Sequence, residues 1–337
     1  MTYPTLEIAV RAPARLHLGF LDLHGGLGRT FGSLGLTLEG PATRLRMRRA
    51  PRTTASGPEQ ARILRLARQI LEGLQIEGGV AVAVEEAIPV HAGLGSGTQM
   101  ALALAEGIRR LYHHPADLAA LAAVGGRGRR SGIGIAAFRD GGFLVDGGRG
   151  AGTVVPPLLA RQPFPADWRV LLVYDHGLQG LAGEREVAAF GALPPMSPEV
   201  CGILCRLCLL QLLPALAERD FTRFAQAVTQ IQDTVGDHFA PSQEGRYASP
   251  RVARVLGWLA AAGVVGYGQS SWGPTGFAFV ATEEEAEDLL ADARAAFAAD
   301  PEIEIVCSRG HNTGAEVASR ESVAGDVAVL DPVAYQG

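Results

Sequence analysis

The sequence predicts an α+β protein of two lobes, and three observations predict it. Strand-like segments are grouped with helices rather than alternating strictly with them. The chain has 337 residues, more than one ordinary hydrophobic core accommodates. Pro156, Pro157, Pro163 and Pro165 cluster near its middle. The lobes are therefore placed at residues 1–155 and 156–337, with mixed sheets and packed helices in each.

The elements follow in order. Leu6–Val10, Ala14–Asp22, Ser33–Leu38 and Thr43–Arg49 carry alternating or β-prone patterns broken by Gly and Pro. A helix at Glu59–Leu74 interrupts them, and the alternating strand Val80–Ile88 comes next. A glycine loop then enters a helix running to about Tyr112, followed by a short helix at Ala116–Val124 and a strand at Gly142–Val145. The second half opens with the strand Trp168–Tyr174 and helices at Gly183–Phe190, Pro198–Leu216, Phe221–Val235 and Pro250–Ala262. Val264–Thr282 reads as strand, glycine turn, strand; the helix Glu283–Phe297 and the strand Glu302–Cys307 complete the pattern.

The most informative stretch is Pro89-Val-His-Ala-Gly-Leu-Gly-Ser-Gly-Thr-Gln99, the loop between strand and helix. The first N–H groups of a helix lack intrahelical partners and the dipole there favours anions. Gly93, Gly95 and Gly97 let the backbone approach closely, so Gly93, Leu94, Gly95, Ser96, Gly97 and Thr98 form a candidate phosphate cradle. The loop lacks the Gly-Lys-Ser/Thr ending of a Walker A sequence and the βαβ context of a dinucleotide fingerprint. A phosphorylated small molecule is the expected ligand.

Composition excludes several alternatives. Net charge is −5, unlike the basic surface of a nucleic-acid binder. All 30 basic residues are arginine, so lysine-dependent chemistry is ruled out and any side-chain cation gripping an oxyanion is a guanidinium. The N-terminus shows no secretory leader pattern and no uncharged apolar run reaches bilayer length, so a cytoplasmic protein without a membrane partner is expected. Cys201, Cys205 and Cys208 have the spacing of an iron–sulfur motif, but they fall in an apolar helix and are read as core residues on one buried face.

Three segments carry a resemblance. Ala12-Pro-Ala-Arg-Leu-His-Leu-Gly-Phe-Leu-Asp22 is a strand motif, Pro89–Gln99 resembles a P-x-x-x-G-L-G-S-S-A phosphate loop, and Gly268-Gln-Ser-Ser-Trp-Gly-Pro-Thr-Gly276 is a late glycine turn. In that order they resemble the three motifs of the GHMP kinase superfamily, which implies a two-lobed GHMP-kinase-like fold. Many such kinases place a catalytic aspartate after the phosphate loop, but the comparable Ser131–Ala137 holds no carboxylate. The strings R-L-H-L-G-F-L-D, G-R-G-R-R-S-G-I-G and F-R-D-G-G-F-L-V-D-G-G resemble a non-kinase branch, the β-ribofuranosylaminobenzene 5′-phosphate synthase family. An ATP-dependent small-molecule kinase is the alternative.

That resemblance implies a decarboxylating pentosyltransferase of tetrahydromethanopterin biosynthesis. Phosphoribosyl pyrophosphate and 4-aminobenzoate or 4-hydroxybenzoate would give a C-riboside 5′-phosphate, CO₂ and pyrophosphate, with Mg²⁺ and a homodimer. The donor has two phosphate ends. The glycine loop suits one; Arg127, Arg129 and Arg130 suit the other or the benzoate carboxylate. Ser270, Ser271 and Gly273 of the late turn are expected to line the substrate. Asp22, ending the first motif beside two glycines, is the preferred Mg²⁺ ligand over Glu106, Asp140 and Asp146, and Glu106 is expected at the surface. Arg15 and His17 share one strand face and are candidate catalytic residues with His91; His24 is weaker. Arg309 and His311 are expected to close the site.

Overall fold

The computed structural model describes residues 5–180, 189, 191–243 and 245–322. One antiparallel ribbon of two long strands replaces the four short strands expected at the start. Strand β1 (Thr5–Asp22) pairs along its length with β2 (Arg29–Ala50), with register shifts at Pro13/Arg15 and His17/Gly19. Proline cannot donate to the ladder, and Gly19 takes the φ of 126° that follows the skipped Leu18, so the breaks fall where the sequence weakens regular pairing. Both bulges lie in the first motif, and each re-aims the residues around it.

The strands β3 (Thr54–Ser56), β4 (Gly79–Glu86), β5 (Phe143–Asp146), β6 (Arg149–Gly150) and β7 (Leu158–Gln162) join the same sheet. So does β12 (Glu316–Ser322), which returns from the far end of the chain to pair with β1. The main path runs β12-β1-β2-β4-β3, and β3 beside β4 is a parallel pair among antiparallel ones. This first sheet thus takes in β7 and β12, beyond residue 155. The second sheet has four strands, β8 (Arg169–Asp175), β9 (Tyr267–Gln269), β10 (Gly276–Val280) and β11 (Ile303–Arg309), in the order β11-β8-β10-β9.

Helices α1 (Gln60–Gly73), α2 (Ser96–Leu111) and α3 (Leu118–Val124) cover one end of the first sheet, closing a core around Val10, Met47, Val82, Ile63 and Leu104. Nearly every residue of α2 from Gln99 to Ile108 is buried. Gly107 has no side chain because the Met47 methyl occupies that space. The short helix α4 (Ile133–Arg139), absent from the sequence reading, is tied to α2 by Gln99 Nε2 donating to the Gly134 carbonyl at 2.8 Å.

A second core joins the two sheets. Phe164, Trp168, Phe224 and Phe279 pack edge-on or tilted within it, with Phe224 at 5.2 Å from Phe279 and 5.0 Å from Trp168. The helices Pro198–Glu218 and Phe221–Gln243 supply Leu204, Leu212, Phe224 and Ile231 to it. The helices Pro250–Ala261 and Glu283–Ala296 back the second sheet on its other face. The helix expected at Gly183–Phe190 lies almost wholly outside the described residues.

One expectation, that of the three cysteines, is corrected in the helix Pro198–Glu218, which Glu199 and Arg206 keep from being an uncharged run. It is long and apolar enough to cross a bilayer, with mean hydropathy 2.0. Its buried stripe of Cys201, Leu204, Cys208 and Leu212 packs against the protein core, and a π-helical turn at Cys208–Leu212 keeps that stripe in register. Cys205 lies off the stripe and is exposed, so the three cysteines do not share one buried face.

Candidate active site

The three motif segments meet at one point, and the glycines explain how. A Cβ on Gly93 would lie 2.1 Å from the Ser270 carbonyl oxygen, and one on Gly273 would lie 2.3 Å from the Gly93 nitrogen. Only paired glycines permit this backbone-on-backbone approach. The Ser270 hydroxyl accepts from the His17 N–H at 3.0 Å and donates to the Gly93 carbonyl at 2.9 Å. The Ser271 N–H donates to the His17 carbonyl, and the Arg15 N–H to the Leu94 carbonyl, both at 3.1 Å. Ser270 is therefore the joint of all three motifs, and its hydroxyl is spent on that task.

Around this joint opens a cleft of about 860 Å³. Gly95 caps α2 in the left-handed conformation, φ 83°, with no side-chain cap. The first-turn amides at Ser96 and Gly97 consequently have no intrahelical acceptor, and both residues line the cleft. Arg15, Arg62, Arg65 and Arg127 line the same space, as do His91, Thr98, Ser271, Trp272 and Gly273. Arg15 donates to the Gly93 carbonyl at 2.5 Å, which braces the loop from β1. Arg62 Nη2 and Arg127 Nη1 lie 3.0 Å and 3.1 Å from the point a Gly97 Cβ would occupy, so two guanidinium groups overhang one loop residue. Burial, then Arg62 and Arg129, pulls the Arg127 guanidinium below its ordinary pKa, yet an arginine stays charged.

Arg62 and Arg65 were missed in the sequence. Their signal was an i, i+3 pair of cations on the polar face of α1, which reads as an ordinary solvated helix face until the fold brings it over the loop. Glu59, just before α1, pairs with Arg62 at 2.5 Å and is the one carboxylate among the described residues lining the cleft.

Other expected residues are placed elsewhere. Arg129 is exposed, its carbonyl accepting from Arg149 at 2.6 Å, and neither it nor Arg130 lines the cleft. Arg130 acts instead on His17, which it helps keep neutral. His17 shares a sheet face with Arg15 but not its cavity. It lies behind the Ser271–Trp272 turn, in a small pocket of about 30 Å³ lined by Phe20, Phe239 and Trp272 together with Gln232 and Arg246. Burial, then Arg15 and Arg130, pushes its pKa down to about 3, and its Nε2 has no hydrogen-bond partner among the described residues. His91 is exposed at the cleft rim with φ 58°, its carbonyl accepting from Gly180 at 3.1 Å.

The acidic candidates are engaged in structural contacts. Asp22 Oδ1 accepts from the His24 and Gly25 N–H groups, both at 2.8 Å, closing a turn outside the cleft. Asp146 is buried and accepts from Ser33, Ser131, Gly132 and Gly148, and burial raises its pKa. It places a carboxylate against the Ser131–Ala137 segment that itself holds none, though one committed to three backbone donors and the Ser131 hydroxyl. Asp140 pairs with Arg139 at 2.7 Å. Glu106, expected at the surface, is fully buried, since Arg109 and Arg110 reach back to it at 2.8 Å and 2.6 Å. Arg309 and His311 do not reach the cleft: Arg309 pairs with Glu283, and the His311 backbone stitches Thr37 to Gly142. No group of three or more acidic, histidine or cysteine side chains suited to a metal occurs among the described residues, so they do not fit a preformed Mg²⁺ cage.

A left-handed glycine loop feeding α2, sealed by a second glycine turn from the other sheet, defines a GHMP-type protein. The models for the GHMP kinases N terminal domain and the GHMP kinases C terminal region match residues 61–142 and 212–299. A solved structure of mevalonate diphosphate decarboxylase from Staphylococcus aureus shares the fold at TM-score 0.64, with 16% identity over 93% of this chain and 98% of that one. The chain is 31% identical over 329 residues to the β-ribofuranosylphenol 5′-phosphate synthase of Archaeoglobus fulgidus, covering 92% of this chain and 99% of that one. It is 30% identical over 291 residues to the protein of the same name from Methanothermobacter thermautotrophicus, covering 80% and 87%. The chain belongs to the β-ribofuranosylphenol 5′-phosphate synthase family.

Proposed function

We propose that the chain is a decarboxylating pentosyltransferase of tetrahydromethanopterin biosynthesis, which joins phosphoribosyl pyrophosphate to 4-hydroxybenzoate. The observation that carries this is the cleft itself, where the α2 amides and four guanidinium groups converge with one acidic residue among them. Such a site suits a polyanionic phosphorylated sugar. The relatives are named for a phenol product, which favours the hydroxyl over the amino acceptor.

The chemistry follows from charge. The bond from the ribose anomeric carbon to the pyrophosphate oxygen breaks, leaving an oxocarbenium-like centre. Guanidinium groups and helix amides neutralise the charge growing on the leaving oxygens. The ring carbon bearing the carboxylate attacks the anomeric carbon, forming the new carbon–carbon bond. The carboxylate then departs as CO₂, and its bonding electrons restore the aromatic ring. The acceptor hydroxyl gives up its proton during attack and regains one afterwards. His91, exposed at the rim, is the histidine that would exchange it. His17 is held neutral, so its role is that of a fixed hydrogen-bonding group behind the late turn. Arg15 braces the loop and adds charge to the cleft. Mg²⁺, if bound with the donor, would supply further charge neutralisation at the pyrophosphate.

A homodimer and a cytoplasmic location complete the proposal. Ile203, Leu209 and Leu210 stand exposed on the Pro198–Glu218 helix, a surface suited to a second copy. All four cysteines are free, as in a reducing compartment. The test is CO₂ release from carboxyl-labelled 4-hydroxybenzoate and 4-aminobenzoate with phosphoribosyl pyrophosphate and Mg²⁺. Donor-dependent release, faster from the hydroxy acid, is expected. No release from either acid by a chain that phosphorylates a small molecule with ATP would replace the synthase with a kinase.

A further inference from the structure

The donor carries a diphosphate at one end and a monophosphate at the other, and nothing so far decides which end the glycine loop receives. Within the cleft the positive charge is not spread evenly. Arg62 comes from α1 and Arg127 from the segment after α3, and they approach Gly97 from different elements. Arg65 stands one turn further along α1, on the face that carries Arg62. The Arg127 Nε is buried without a hydrogen-bond partner among the described residues. Two guanidinium groups above one loop residue repel each other in the free protein, and Glu59 compensates only Arg62. That arrangement is costly unless a highly charged anion bridges the groups. Guanidinium forks recognise phosphate oxygens in pairs, so several forks together suit a ligand with two adjacent phosphorus centres.

We propose that Arg62 and Arg65 of α1, with Arg127, form a diphosphate clamp over the glycine loop, so that the loop holds the leaving end of the donor. The inference rests on the synthase reading for the identity of the donor, but the clamp is testable by binding alone. Glu59 is its internal competitor: it holds Arg62 while the site is empty and must yield it when the anion arrives. The same chemistry would accept the diphosphate of a nucleotide, so the probes must separate the two sources.

The experiment is calorimetric titration of the full chain with pyrophosphate, ribose 5-phosphate, phosphoribosyl pyrophosphate and ADP, each with and without Mg²⁺. Arg62→Gln and Arg65→Gln are made singly and together, alongside Glu59→Gln. Arg65 is exposed and Arg62 partly so, and circular dichroism with thermal melts verifies that each variant folds. The double variant is expected to lose at least tenfold in affinity for pyrophosphate and for phosphoribosyl pyrophosphate, with ribose 5-phosphate changed less than twofold. Glu59→Gln is expected to tighten pyrophosphate by a few fold, which a purely structural role for Arg62 would not produce. Unchanged pyrophosphate binding in the double variant, or weakened ribose 5-phosphate binding instead, overturns the clamp. So does a wild-type chain that binds no pyrophosphate. ADP bound more tightly than phosphoribosyl pyrophosphate overturns the assignment of the donor's end. Labelled CO₂ release is followed in parallel: its absence, with variant-sensitive pyrophosphate binding retained, removes the synthase reading and leaves the clamp.

Discussion

Arg15 and His17 are two residues apart on one strand and face the same side of the sheet, yet they occupy opposite environments. Arg15 opens onto a cleft of about 860 Å³ shared with Arg62, Arg65 and Arg127. His17 lines a pocket of about 30 Å³ shared with Phe20, Phe239 and Trp272 and with Gln232 and Arg246. The divider is the Ser270–Gly273 turn, whose backbone sits against both β1 and the glycine loop. Solvent access lets the cleft keep its concentrated positive charge, whereas burial denies His17 any charge at all. One turn from the second sheet thus separates a cleft built for anions from a small pocket that holds a neutral imidazole.

The largest expected effect comes from breaking the divider. Gly93→Ala would drive a methyl into the Ser270 carbonyl at a position with φ 82°. Roughly 3 kcal/mol of stability or more should be lost, read by urea unfolding, together with synthase turnover. Next comes the open side. Arg127→Gln removes one charge-assisted partner worth about 1.5–3 kcal/mol, so the donor KM should rise roughly ten- to hundredfold in steady-state kinetics while the acceptor KM holds.

The closed side responds to acid. Unfolded His17 takes up a proton near its ordinary pKa of 6.5, but in the folded chain only near about 3. Between those values the unfolded state binds more protons, so stability present above pH 6.5 is lost as pH falls toward 3. The loss should reach about 1.4 kcal/mol at pH 5.5, and His17→Gln should abolish that component in melts compared across pH. The smallest effect belongs to a residue in neither region. Asp22→Asn keeps an oxygen acceptor for the turn, so stability should fall by less than about 1 kcal/mol and the Mg²⁺ half-saturation should stay within twofold.

The glycine loop, α2 and the late turn were legible because each has a local signature: closely spaced glycines in the two loops and an apolar run in the helix. Most helix bounds were legible too, since the 3.6-residue period survives in α1 and Glu283–Ala296. Ambiguity entered where the signal is non-local. Leu6–Val10 and Ala14–Asp22 looked like two strands because Pro13 interrupts the pattern, whereas the ladder to β2 carries β1 through the bulge. Glu106 looked solvated because its two arginines are invisible as partners until α2 is buried on every side but theirs. The α1 arginines were hidden for the same reason. A helix face declares its charge in sequence, but only the fold shows what that charge overhangs.

The return of β12 to the edge of β1 has a consequence for biosynthesis. Seven register pairs, from Thr5↔Ser322 to Arg11↔Glu316, join the first strand to nearly the last described residues. At about 5–20 residues per second, a chain of this length takes roughly a quarter of a minute to a minute to synthesise. For that interval the nascent β1 carries an unfilled edge, the feature that invites pairing with other chains. The first sheet cannot be completed until residues 316–322 have been synthesised.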